Sequence, residues 1–91
     1  MAGVVAIIVK VMPEGTDVDI GGLKRKVTEV LEAEGGQNIS FEVEEVAFGL
    51  KALKVKFAWD EDKEGEIYEE RLREIGGVSS VDTVDYRRAF G

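Results

Sequence analysis

Phe41-Glu42-Val43-Glu44-Glu45-Val46-Ala47-Phe48-Gly49-Leu50-Lys51-Ala52-Leu53-Lys54-Val55-Lys56-Phe57-Ala58-Trp59 is the stretch that decides the fold. Beyond the Phe-Gly pair, Leu53, Val55, Phe57 and Trp59 alternate with Lys54 and Lys56, a period that lines one sheet face with apolar groups. Before it, Phe41 and Val43 alternate with Glu42 and Glu44. Two such runs around a short Gly-containing connection predict a hairpin. The connection itself is unusual. Tight turns are normally made of Gly, Asn, Asp, Ser or Pro, because those residues meet the backbone geometry or bond to it. A phenyl side chain contributes about 1.5–3 kcal/mol when fully buried, and at a hairpin tip that contribution is lost. Phe48 therefore either folds back onto a neighbouring helix or meets a pocket supplied by a partner.

Working outward, the strand before the turn is expected over Ile39 to Ala47. Upstream, Val4 to Met12 carries Val5, Ile7, Val9 and Val11 in strict alternation, a second strand pattern, which Pro13-Glu14-Gly15-Thr16 ends. Asp17 and Asp19 are candidate N-caps for a helix with Ile20, Leu23, Val27, Val30 and Leu31 at helical spacing. Gly35-Gly36 stops it. Gly21-Gly22 is discordant there, since each Gly costs about 1 kcal/mol against Ala inside a helix. Downstream, the acidic loop Asp60-Glu61-Asp62-Lys63-Glu64-Gly65 leads to a second helix with Ile67, Tyr68, Leu72 and Ile75 on one face. Gly76-Gly77 ends it. Val78 to Tyr86 reads as a last strand whose phase slips between Val81 and Val84, the mark of a bulge or an edge.

The order βαββαβ predicts an α+β, ferredoxin-like sandwich. It implies one domain over residues 1–91, with a four-stranded antiparallel sheet in the order 4-1-3-2 and two helices on one face. The other face is left for solvent or a partner. In this topology the Phe48 turn and the pair Arg87-Arg88 fall at opposite ends of the sheet, roughly 20–30 Å apart at the rise of a strand.

Composition narrows the functional classes. The chain has 91 residues, 44% hydrophobic and 34% charged, with a net charge of −7. Such a surface repels phosphate backbones and anionic lipid, which excludes nucleic acid or membrane as the main partner. There is no Cys and no His, so thiol nucleophiles, His-based proton transfer and Cys/His zinc sites are excluded. The apolar start from Met1 to Met12 is interrupted by Lys10, lacks a basic leader pattern and is too short to cross a bilayer. A cytoplasmic monomer that needs no metal or cofactor is expected.

Asp60, Asp62, Glu64 and Gly65 fall on the first positions of a calcium loop, but Arg71 stands where a bidentate Glu is required. An RNA-binding sheet would carry aromatic groups beside Lys54 and Lys56, whereas Phe57 and Trp59 lie on the opposite face. An acylphosphatase-like anion loop after the first strand would not be acidic, as Pro13-Glu14-Gly15-Thr16-Asp17 is. No nucleophile–base pair can be assembled, so covalent catalysis is not expected. Tyr86-Arg87-Arg88-Ala89-Phe90-Gly91 is basic in an acidic chain. It is either a solvated tail or a cationic finger for a carboxylate, phosphate or metal-occupied site.

Val4-Val5-Ala6-Ile7-Ile8-Val9-Lys10-Val11-Met12-Pro13-Glu14, Ala47-Phe48-Gly49-Leu50-Lys51-Ala52-Leu53 and the ending Gly77-Val78-Ser79-Ser80-Val81-Asp82 with Arg87-Arg88 resemble the archaeal elongation factor 1-beta family. The resemblance covers essentially the whole chain. It implies a guanine nucleotide exchange factor for elongation factor 1-alpha, the GTPase that delivers aminoacyl-tRNA in translation. It also implies partner contacts at Phe48, Gly49 and Lys51. There the Phe packs against the second domain of the GTPase, while a basic group at Arg88, with Arg87 beside it, reaches toward the magnesium and phosphate site. The chain departs from the eukaryotic form, which has Lys at the basic position, one residue from its end; here Ala89-Phe90-Gly91 follow Arg88. The competing class is a non-catalytic ferredoxin-like binding or regulatory domain that self-associates or takes a partner on its open sheet face.

Overall fold

A computed structural model describes residues 3–63 and 65–88. Glu64 of the acidic loop and the tail Ala89-Phe90-Gly91 lie outside the described residues. The elements are β1 (Val4–Pro13), α1 (Ile20–Ala33), β2 (Gln37–Ala47), β3 (Leu50–Asp60), α2 (Gly65–Arg73) and β4 (Val78–Arg88). They form a four-stranded sheet in the order β2-β3-β1-β4, antiparallel throughout. This is the expected ferredoxin-like α+β sandwich, in the expected strand order.

The alternation read from the sequence determines which face is covered. Val5, Ile7, Val9 and Val11 of β1 and Leu53, Val55, Phe57 and Trp59 of β3 are buried. They pack with Leu23, Val27 and Leu31 of α1 and Tyr68 and Leu72 of α2. Phe57, Trp59 and Tyr68 meet edge to face, with ring centroids 5.3–5.8 Å apart, the arrangement that aromatic quadrupoles favour.

The ends of α1 follow from local chemistry. Asp19, not Asp17, is the N-cap, and its carboxylate accepts from the Gly21 N–H at 3.2 Å. The discordant Gly22 has a steric role here. A Cβ on it would stand 3.1 Å from Asp19 Oδ2, so only a bare backbone leaves the cap in place without adjustment. The helix closes in a Schellman motif, with Gly36 N–H on the Leu31 carbonyl at 2.7 Å and Gly35 N–H on that of Glu32 at 3.1 Å.

Three strands run further than the sequence pattern indicated: β1 includes Pro13, β2 begins at Gln37 and β4 continues through Arg88. The phase slip in β4 is both a bulge and an edge. Val9 pairs with Thr83 and Ile8 with Asp85, which leaves Val84 as the extra residue on the outermost strand. The molecule measures 45 × 21 × 18 Å, and the strand pairings place the Phe48 hairpin and Arg88 at opposite ends of the sheet. Over β3 (Leu50–Asp60) the two are separated by about 33 Å at 3.3 Å per residue.

Candidate functional site

At the hairpin end, Ala47 pairs with Leu50, so Phe48 and Gly49 alone make the connection. Their φ angles are 53° and 79°, the pair of positive values that a type I′ turn requires. Gly49 meets this geometry without strain, and its nearest neighbour is the Thr16 methyl of the β1–α1 loop. Phe48 does not. A non-glycine residue in the left-handed region costs on the order of 1 kcal/mol. Its side chain is 100% exposed, so it packs on no helix and recovers nothing from the fold. Val43 and Val46 lie on the strand leading to it and are also exposed. Val46 is the extra residue of a second bulge, between the Glu45–Lys51 and Ala47–Leu50 pairs. Lys51 is exposed beside the tip and lines, with Gly49 and Thr16, a cleft of about 220 Å³ against the β1–α1 loop.

The opposite end is polar and internally paired. Val5 of β1 stands opposite Arg88 on one side, and its neighbour Val4 stands opposite Asp60 on the other. Arg87 and Arg88 are therefore strand residues rather than a loose tail. Arg88 Nε lies 3.0 Å from Glu61 Oε2, and Arg87 Nε lies 3.1 Å from Asp85 Oδ2. Glu61 is itself fixed, because its Oε1 accepts from Gly3 N–H at 3.3 Å and its own N–H donates to the Gly3 carbonyl at 3.1 Å. Nearby, Lys63 Nζ sits 5.1 Å from the Trp59 ring centroid and donates to the Glu34 carbonyl. The Tyr68 hydroxyl meets Thr83 Oγ1 at 2.8 Å, tying α2 to β4 just before its bulge. Burial pushes the Tyr68 phenol above its ordinary value, opposed in part by the Thr83 bond.

The open sheet face carries a row of paired charges. Glu42, Lys54, Lys10 and Asp82 stand in one row across the four strands. Glu44 reaches both lysines, at 2.6 Å to Lys54 Nζ and 3.5 Å to Lys10 Nζ. The hydrogen bond and charge of Lys54 hold the Glu44 carboxyl below its usual range, and Glu44 raises Lys54 in return. Both lysines are thus engaged by Glu44, while Ile8, Val84 and Phe41 line, with Ser40, Glu42, Lys54 and Lys56, a cleft of about 230 Å³.

The five residues singled out from the sequence thus fall into two groups rather than one pocket. Phe48, Gly49 and Lys51 share the hairpin end, and Arg87 and Arg88 share the far end. Sequence reasoning missed Glu61. The available signal was topological: antiparallel pairing of β1 with both β3 and β4 brings the end of β3 and the end of β4 to either side of the start of β1.

The fold and geometry together define a ferredoxin-like domain with an exposed aromatic hairpin tip and an ion-paired far end. Comparison with known proteins identifies the class more closely. Residues 6–88 match the EF-1 guanine nucleotide exchange domain. The chain is 43% identical to "Elongation factor 1-beta" of Methanothermobacter thermautotrophicus over 89 residues, 97% of this chain and 98% of that one. It is 42% identical to the protein of that name from Methanococcoides burtonii over 87 residues, 94% and 97% of the two chains. With that from Methanosarcina barkeri the identity is 39%, over 94% and 98%. The chain belongs to the EF-1 guanine nucleotide exchange domain family.

Proposed function

We propose that this protein accelerates GDP release from elongation factor 1-alpha, allowing GTP to load during translation elongation. The observation that carries this reading is Phe48, fully exposed and held at positive φ in a chain of the exchange family. A residue that is costly to the fold on both counts is expected to act outside it. Phe48 is the docking anchor, inserted into an apolar pocket of the GTPase, with Gly49 and Lys51 completing the contact. Arg88, with Arg87 beside it, supplies positive charge near the GTPase's magnesium and phosphate site, loosening both.

Such a factor works by binding the nucleotide-free GTPase better than the nucleotide-bound form. Every tenfold loss of GDP affinity requires about 1.4 kcal/mol of that difference. No bond is made or broken by the exchange factor, in keeping with a chain that has no Cys and no His. The test is release of fluorescent GDP from elongation factor 1-alpha. Catalytic amounts of this protein should speed release, and an unchanged rate at saturating protein would end the reading.

A further inference from the structure

Arg87 and Arg88 are held in different ways. Arg87 pairs with Asp85 of its own strand, so the two shift together and the pair fixes nothing relative to the rest of the sheet. Arg88 pairs with Glu61, which lies beyond the end of β3 on the other side of β1. That carboxylate is anchored twice to Gly3, by its own oxygen and by its backbone N–H. Its side chain is 24% exposed, against 66% for Arg88, so Glu61 is the fixed member of the pair and Arg88 the mobile one. β4 is an edge strand whose only neighbour is β1, and Arg88 makes the last pairing with it among the described residues. Without Glu61, nothing else among the ion pairs of the described residues ties the end of β4 to the β3–α2 loop.

We propose that Glu61 is a positioning residue for nucleotide exchange, holding the Arg88 guanidinium in the orientation from which it acts. This rests on the role given to Arg88 above. A long side chain that must be ordered in a complex loses rotamer freedom on docking. A partner already in place removes part of that loss beforehand. The contribution falls on the step in which the cation acts, not on docking through the distant hairpin.

Two measurements test it, using the full chain. The first is independent of activity. Nitrogen-15 NMR should show the Arg88 Nε–H signal displaced in the native protein and returned to the position of a free arginine in Glu61→Gln, with the melting temperature unchanged. An Arg88→Lys sample assigns the signal, and an Nε–H signal that Glu61→Gln does not move overturns the proposal. The second is GDP release from elongation factor 1-alpha with Glu61→Gln, Arg88→Gln and the double variant. Glu61→Gln should lower the maximal rate about two- to fivefold, the size an exposed ion pair supplies, at an unchanged half-saturating concentration. It should add nothing in the Arg88→Gln background. A loss of equal size in both backgrounds, or a faster rate in Glu61→Gln, overturns this proposal alone. An Arg88→Gln protein with undiminished rate overturns the role of Arg88 as well, whatever the NMR signal shows.

Discussion

The two ends of this molecule present opposite solutions to exposure. At the hairpin, an apolar ring is extended into solvent on a strained backbone, and none of the described residues covers it. At the far end, two arginines reach solvent, but each lies against a carboxylate of the same chain. An exposed ring gains free energy from any fitting apolar pocket, so the hairpin suits docking. Cations held in place by their own carboxylates gain from phosphate oxygens that approach their free N–H groups, so the far end suits discrimination between GTPase states. With about 33 Å between them at the rise of a strand, the same contact cannot serve both purposes.

Mutations confined to one end should separate docking from release. The largest effect is expected at the hairpin. Phe48→Ala should weaken binding to elongation factor 1-alpha by about 1–3 kcal/mol, the cost of removing a central aromatic anchor, while the melting temperature holds. Calorimetric titration gives the first quantity and thermal unfolding the second; a sharp drop in melting temperature would make Phe48 a core residue. Next is the far end. Arg87→Ala combined with Arg88→Ala should slow maximal GDP release about tenfold, a barrier change near 1.4 kcal/mol, with a smaller loss of complex formation. The defect should shrink when magnesium is chelated, because the cation's target has then been removed.

Strain at Phe48 is open to a substitution of its own. Phe48→Asn creates Asn-Gly, the pair best suited to a type I′ turn. Relief on the order of 1 kcal/mol should raise the melting temperature by about 4–8 °C, while affinity falls as it does in Phe48→Ala. A melting temperature that stays level or falls would show that the turn carries no strain.

The smallest effect concerns the sheet between the ends. Glu44 titrates below its ordinary 4.5 because Lys54 and Lys10 favour the carboxylate. The stability it adds is therefore present above that value and lost as pH falls through the folded one. Lys54 is raised above 10.5, so its share persists below that value and fades as pH rises through the folded one. Glu44→Gln should flatten the acid limb of the stability profile, and added salt should do the same. Exchange at neutral pH should not change.

Periodicity made most of the fold legible. Val5, Ile7, Val9 and Val11, like Leu53, Val55, Phe57 and Trp59, recur at every second position, and each set is buried on the corresponding face. The aromatic turn was legible as an anomaly, but the sequence left open whether Phe48 folds inward, because a ring at a tip has the same composition either way. The backbone dihedral and full exposure decide that point. Gly22 was opaque for a similar reason, since a helix propensity does not register a neighbouring cap carboxylate. Arg87 and Arg88 could be read as a solvated tail because a strand's last residues carry no apolar period. Their pairing to β1 is a property of the sheet. Glu61 was hidden inside an acidic run that the helix dipole alone explains, and its link to Arg88 exists only in three dimensions.

The most direct test of a division between docking and release is stopped-flow release of fluorescent GDP from elongation factor 1-alpha, measured across a range of exchange-factor concentrations. Each variant then yields a half-saturating concentration and a maximal rate. Phe48→Ala should raise the first and spare the second, whereas the double arginine variant should lower the second with a smaller change in the first. If both variants shift chiefly the same parameter, the two ends do not have separate tasks and the division is wrong.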